Sequence, residues 1–307
     1  MPLRMAIVGL GKIACDEHVP AILADPAFSL VATAGGRSEP PPSTLRFANH
    51  RDLLREAAGE LDAVAICTPP GPRLDIARDC LEAGLHVLLE KPPCATLAGI
   101  DSLRRVASAR GRTLFAAWHS QFAPAVAPAR AALAGRSISA LEIIWCEDVR
   151  RWHPGQDWVF GAGGFGVFDP GINAFSIVSR LAPEALAVET AELIVPEGRV
   201  SPIAATLRLA CGTARFDWRA EQPSEWTIRF LAAEESRFEI RGGGRELSID
   251  GVAQALSPMG EYPALYAHFA DLVAAGRSDV DSGPLQAVAD AFLVGDRVTT
   301  VPFSWHE

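Results

Sequence analysis

Ile7-Val8-Gly9-Leu10-Gly11-Lys12-Ile13-Ala14 decides how the first third of this chain folds. A strand expected at residues 4–8, apolar from Met5 to Val8, ends in a G-x-G-x-x-A turn, and a helical pattern follows at 18–24. Gly9 permits the tight turn at the strand end. Gly11 lets a phosphate approach bare backbone, and Ala14 is small enough for the helix to lie close on the strand. The helix N-terminus then offers unpaired N–H donors and a positive dipole. The motif alone also describes a merely structural turn. Its position at the first strand-to-helix turn is what points to a dinucleotide, with Lys12 and Ile13 inside the loop. Lys12 has two readings there, solvated or touching phosphate.

Outward from this turn the pattern repeats. Strands are expected at 28–34, 61–67, 86–89 and 113–117, with helices at 72–83, stopped by Gly84, and at 97–109. Strands alternating with helices of this length imply parallel βαβ units. The run Pro40-Pro41-Pro42 marks a surface loop. After residue 120 the pattern changes. A helix at 124–133 and a strand at 141–146 lead to a loop rich in Trp, His and Gly at 150–166, and Pro170 opens a further helix. Short runs at 187–195, 204–209, 214–218, 226–231, 237–240 and 246–249, with a Gly243-Gly244 turn, indicate an antiparallel sheet. Helices at 264–275 and 285–294 come last. The expected fold is α/β. A Rossmann domain with a parallel sheet occupies 1–120 and a second, substrate-binding domain 121–307, the C-terminal helices being free to pack back on the first.

Composition bounds the function. A chain of 307 residues, 49% hydrophobic, is long enough for two cores. A net charge of -9 argues against nucleic acid and fits a small-molecule partner. No apolar stretch approaches the roughly 20 residues of a membrane span, and no cleavable signal pattern precedes the first strand. The six cysteines include no C-x-x-C, so reduced thiols in a cytoplasmic protein are expected. Cys15 and His18 lack partners for a metal site, and none is expected.

The second strand runs into Ala34-Gly35-Gly36-Arg37-Ser38. An acid at this tip would bind a free ribose 2′-hydroxyl. Glu39 comes too late for that. Arg37 and Ser38 suit a 2′-phosphate instead, so NADP is favoured, with NAD as the other option. Arg37 covering only the adenine face is the plainer reading. Thr68, Pro69, Glu90 and Lys91 end the later strands where a cofactor would lie. Lys12 and Lys91 are the only lysines among 28 basic residues. Arginine cannot lose its proton in a protein, whereas lysine can. Lys91, in Leu88-Leu89-Glu90-Lys91-Pro92-Pro93, is therefore either a cation retained for chemistry or a leftover of composition.

Asp169-Pro170-Gly171-Ile172-Asn173 sets Asp169 and Asn173 on one helical face. Asp169 also stands where an N-cap would, so plain capping competes with catalysis. Glu147-Asp148-Val149-Arg150-Arg151-Trp152-His153-Pro154 and Trp118-His119-Ser120 are further polar clusters with aromatics. Carbohydrate sites use this mixture, planar apolar faces beside groups that bond hydroxyls. Each histidine taken singly reads as structural.

Together, Gly9-x-Gly11-x-x-Ala14, Glu90-Lys91-Pro92 and the stretch from Gly163-Gly164 to Asp169-x-x-x-Asn173 resemble the Gfo/Idh/MocA oxidoreductases along essentially the whole chain. Longer strings resemble the arabinose/galactose branch of that family: Ala117-Trp118-His119-Ser120, the run from Glu147 to Trp158, and the run from Gly166 to Asn173. The resemblance implies a Rossmann domain followed by an open, mostly antiparallel sheet that serves as a homo-oligomer interface. It implies catalytic roles for Lys91, Asp169 and Asn173, and sugar contacts from His119, Glu147, Trp152 and His153. Many members have histidine where this chain has Asn173, which removes one acid–base group.

The implied reaction is oxidation of L-arabinose, D-galactose or D-fucose at C1 to the aldonolactone. Either Lys91 or Asp169 takes the C1 hydroxyl proton. A pocket that reads C1 to C4 accepts all three sugars, which differ at C5. Two other functions fit the same sequence: a dehydrogenase of another sugar or polyol, such as inositol or glucose, and a non-catalytic NADP-binding sugar sensor.

Overall fold

The computed structural model describes residues 1–220 and 223–305. The chain divides into two compact units, Met1–His119 with Gly260–Ser282, and Ser120–Met259 with Gly283–Glu307.

In the first unit β1 (Leu3–Leu10) leads through a π-helical turn (Ala14–His18) into α1 (Val19–Ala24). Then follow β2 (Phe28–Gly36), β3 (Leu45–Phe47), α2 (His50–Ala57), β4 (Ala63–Ile66), α3 (Pro70–Glu82), β5 (His86–Glu90), α4 (Leu97–Arg110) and β6 (Leu114–Ala117). The six strands are all parallel, in the order β3-β2-β1-β4-β5-β6. This is the Rossmann order, with its switch point between β1 and β4. Every residue of β4 and β6 is buried, as both faces of a parallel sheet require. Asn49 caps α2 by accepting from the N–H groups of Arg51 and Asp52, and Thr96 caps α4 through Gly99.

The second unit contains α5 (Val126–Leu133), β7 (Ile138–Cys146), α6 (Val149–Trp152) and α7 (Phe168–Leu181). The strands β8 (Val188–Pro196), β9 (Ala204–Leu209), β10 (Gly212–Asp217), β11 (Glu225–Ala232), β12 (Arg237–Arg241), β13 (Glu246–Ile249) and β14 (Val252–Ala253) follow. Its nine-stranded sheet has the order β14-β13-β12-β11-β7-β10-β9-β8-β15, where β15 is Gly295–Thr300. Most pairs are antiparallel; β7 with β10 and β8 with β15 are parallel. One face is buried beneath α7, where Phe168 and Phe175 of the helix meet Phe216 of β10. The other face carries cross-strand ion pairs, Arg229 with Glu142 and Glu239, and Arg208 with Glu189. Of the last helices, α8 (Glu261–Ala274) belongs to the first unit and α9 (Gly283–Val294) to the second. No helix among the described residues is long and apolar enough to cross a membrane.

Candidate active site

The carboxyl ends of β1, β2 and β4 converge. Gly9 has φ +93°, and a Cβ there would lie 2.9 Å from the Thr68 backbone nitrogen, so only glycine lets the two loops meet. A Cβ on Gly36 would lie 2.3 Å from the Leu10 carbonyl oxygen, and the Ser38 N–H donates to that same carbonyl. Gly11 differs: nothing lies within 4 Å of a Cβ built on it. Its backbone therefore borders open space at the start of the helical run, while Ala14 is fully buried against the sheet. These residues fit a dinucleotide's phosphates. Lys12 bonds to Asp16 one turn on, with its side chain out in solvent. Arg37 is exposed at the tip of β2, and Glu39 is held by Arg46.

At the tip of β5, Glu90 is only 4% exposed and anchors a buried network. Its Oε2 accepts the Lys91 N–H at 2.8 Å; its Oε1 accepts from His18 Nε2 at 3.0 Å and Tyr262 Oη at 2.6 Å. The other nitrogen of His18, Nδ1, lies 2.8 Å from Tyr266 Oη, and the ring is fully buried. Burial opposes the Glu90 charge, but the hydrogen bond and charge of His18, then His119 and Tyr262, hold its carboxyl well below the usual carboxylate range. Burial likewise opposes the His18 imidazolium; Cys67, Tyr266 and the bond to Glu90 outweigh it and leave the ring well above its ordinary value. Nδ1 of His18 faces the Tyr266 hydroxyl, whose phenol burial pushes up to about 12. The buried Arg73 donates to the carbonyls of Thr68, Glu90 and Pro92, joining the ends of β4 and β5. The Lys91–Pro92 bond is cis. After β6, His119 Nδ1 bonds to Glu261, and its ring stacks on Tyr262 at 5.6 Å.

The second unit assembles its own cluster. Asp169 is 8% exposed in the first turn of α7, with His153 Nε2 3.3 Å from its Oδ2. The His153 ring lies 5.4 Å from that of Trp218, whose Nε1–H donates to the buried Glu147 at 3.2 Å. Asn173 follows Asp169 by one turn and is half-buried. Trp152 is 43% exposed and leans on Trp226 at 5.6 Å. Capping does not account for Asp169: α7 begins at Phe168, its N-cap is Val167, and Asp169 and Pro170 lie inside the first turn. Phe168, packed on Phe175, Phe216 and Phe292, draws the helix start two residues forward of Pro170. Pro170 is tolerated because first-turn N–H groups have no intrahelical acceptor.

Glycines set the approach to α7. A Cβ on Gly164 would lie 2.4 Å from the Trp158 carbonyl oxygen, and one on Gly166 (φ +55°) 2.1 Å from that of Pro202. The segment after β15 pins the same loop. Trp305 Nε1 donates to Asp157 Oδ1 at 2.8 Å, Arg150 Nη2 to the Ser304 carbonyl at 2.8 Å, and Phe303 packs on Phe160 at 5.1 Å.

Sequence reasoning missed His18, Arg73, Trp218, Glu261, Tyr262 and Tyr266. His18 stands near Cys15 without further metal partners, and the rest carry no motif. A concavity on the sheet of the second unit, lined by Glu142, Arg229 and Phe238 among others, contains none of the predicted site residues.

Residues 3–118 match the family described as oxidoreductases with an NAD-binding Rossmann fold. The chain is 47% identical to galactose 1-dehydrogenase of Pseudomonas fluorescens over 309 residues, covering 98% of this chain and 99% of that one. A crystal structure of D-galactose-1-dehydrogenase from Rhizobium etli superposes with a TM-score of 0.93 at 44% identity, covering 99% and 98% of the two chains. An inositol dehydrogenase homologue from Azotobacter vinelandii, complexed with NADH and myo-inositol, shares the fold at 21% identity and a TM-score of 0.77, over 96% and 95%. With its nucleotide turn, its Glu90-Lys91-Pro92 strand end and its full-length kinship to these enzymes, the chain belongs to the Gfo/Idh/MocA family of NAD(P)-dependent oxidoreductases.

Proposed function

We propose that this protein, a sugar dehydrogenase, oxidises D-galactose, L-arabinose or D-fucose at C1 to the aldonolactone. The observation that carries the reading is the chain Glu147–Trp218–His153–Asp169, which sets buried acids and ring faces around one carboxylate. Near full-length identity to galactose 1-dehydrogenase supports the substrate class. The sugars share their configuration at C2, C3 and C4, so one set of hydroxyl contacts serves all three.

The loops at Gly9, Gly11, Ile13, Ala14, Arg37, Ser38, Thr68 and Pro69 would hold the cofactor, with NADP preferred through Arg37. When bound, NAD(P) supplies the hydride acceptor. The residues of the chain then manage the proton and the oxygen. Asp169 takes the proton of the C1 hydroxyl and shares it with His153 Nε2, 3.3 Å away. Lys91, as ammonium, steadies the oxygen on which charge develops. Asn173 hydrogen-bonds and orients, while His119, Glu147 and Trp152 contact the ring. The open face of the second unit's sheet forms a homo-oligomer interface, and the six free cysteines fit a reducing cytoplasm.

The test is direct. The protein is mixed with NADP or NAD and a panel of aldoses and polyols, and reduced nicotinamide is followed by absorbance. Turnover of galactose and arabinose is expected. Turnover of inositol or glucose alone, or cofactor binding with no turnover of any sugar, would overturn the reading.

A further inference from the structure

The end of β5 buries a charge that packing does not need. Val87, Leu88 and Leu89 are fully buried, and the next position holds a carboxylate rather than another aliphatic side chain. Burying an ion pair is costly, and apolar replacements of similar volume are often at least as stable. The Glu90–His18 pair is therefore poorly explained as a stability device. Its geometry points elsewhere. Glu90 reaches back to the N–H of the following residue, Lys91, while accepting from the π-helical turn after β1 and from the first turn of α8. The carbonyls on either side, of Glu90 and Pro92, are held by Arg73. The Glu90–Lys91 peptide is thus gripped at its N–H and its carbonyl by buried side chains of opposite charge, and Arg73 also holds the Pro92 carbonyl beyond it.

We infer that Glu90, with His18 and Tyr262 behind it, is a positioning residue for Lys91, fixing the strand end from which the ammonium projects. This rests on the proposed role of Lys91. A misplacement of about 1 Å at a reacting group costs on the order of 100-fold in rate. The network touches Lys91 through its backbone. Its loss therefore appears in turnover and not in cofactor affinity.

The experiment compares Glu90→Gln, Tyr262→Phe, their double variant and Lys91→Ala, measuring kcat, sugar KM, NADP Kd by fluorescence and the thermal midpoint. Glu90→Gln keeps the shape and removes the charge; kcat is expected to fall about 10- to 100-fold with NADP Kd within about 2-fold. Tyr262→Phe removes one bond and leaves the ion pair, so it remains informative should Glu90→Gln fail to fold; a fall of about 3- to 10-fold is expected. The double variant should lose less than the product of the two, because both act through one carboxylate. Folded variants with wild-type kcat, or losses shared equally by NADP Kd, overturn the inference. If Lys91→Ala keeps full turnover, the role of Lys91 itself has failed. If it loses turnover while both network variants keep theirs, the positioning alone has failed.

Discussion

Gly171→Ala tests whether the packing of α7 sets the chemistry. A Cβ on Gly171 would sit 2.6 Å from Cδ1 and 2.8 Å from Cε1 of Phe216. Carbon atoms in contact prefer about 3.5–4.0 Å, so ring and helix must separate by roughly 1 Å. The ring has nowhere to go: it is fully buried, with Phe168 at 5.5 Å and Phe175 at 5.1 Å. Overpacking of this kind costs about 1–3 kcal/mol, while alanine gains about 1 kcal/mol over glycine in helix propensity. The net loss is about 0–2 kcal/mol. Asp169 stands two residues earlier on the same turn, so a comparable shift there lowers kcat/KM for galactose by about 10- to 100-fold. Urea midpoints report the first effect and steady-state rates the second. Adding Phe216→Leu, which removes the clashing ring edge, should restore much of the rate. A folded Gly171→Ala enzyme with wild-type kcat/KM would refute the link between this contact and the carboxylate proposed as the base. Asp169→Asn, measured alongside, separates a mistaken contact from a mistaken base.

Lys91→Ala should lower kcat by at least about 100-fold while leaving NADP affinity unchanged; an unaltered kcat removes it from the chemistry. Arg37→Ala should raise KM for NADP by about 10-fold or more and leave KM for NAD unmoved, and equal changes in both would disprove 2′-phosphate recognition. Trp305→Ala deletes the bond to Asp157 and the contact with Phe160, and should raise sugar KM by about 3- to 10-fold through a looser 149–161 loop, cofactor KM staying constant. The ion pair has a pH signature. Glu90 is depressed in the fold, so its contribution is full above about pH 4.3 and is lost as pH falls through its folded value. His18 is raised, so its contribution is full below about pH 6.5 and is lost as pH rises through its folded value. The stability margin of wild type over Glu90→Gln, from urea midpoints, should be largest between about pH 4.3 and 6.5; a margin independent of pH contradicts the charged pair.

The parallel sheet was legible because strands buried on both faces read as continuous apolar runs, with glycines stopping the helices between them. What escaped was polar and local. β3 is three residues long and mostly exposed, and α2 buries only Leu53 and Ala57 among His, Arg, Asp and Glu. β15 is an edge strand with an exposed Gly-Asp-Arg-Val-Thr-Thr sequence that follows α9 without a break. Such segments are fixed by their neighbours, not by their own periodicity. The start of α7 was misread for a similar reason: the Asp-Pro signal is local, and the aromatic cluster around Phe168 overrides it.

Motif residues could be named from sequence, whereas their supports could not. His18 meets Glu90 across 72 residues and Tyr262 meets it across 172, and no spacing rule reaches so far. The structure also changes what the scarcity of lysine means. Arg73 uses the planar fork of its guanidinium to hold three carbonyls at once, a task for which a flexible ammonium is poorly shaped. Lys91, under the proposed chemistry, faces the opposite requirement. It must steady charge on a single oxygen, which suits a compact cation with rotatable donors on a flexible stem. A lysine retained in an arginine-rich chain therefore need not be a base. In the proposed mechanism the proton has another destination in Asp169, and Lys91 needs a fixed origin for its side chain, which the proposed positioning by Glu90 and Arg73 would supply.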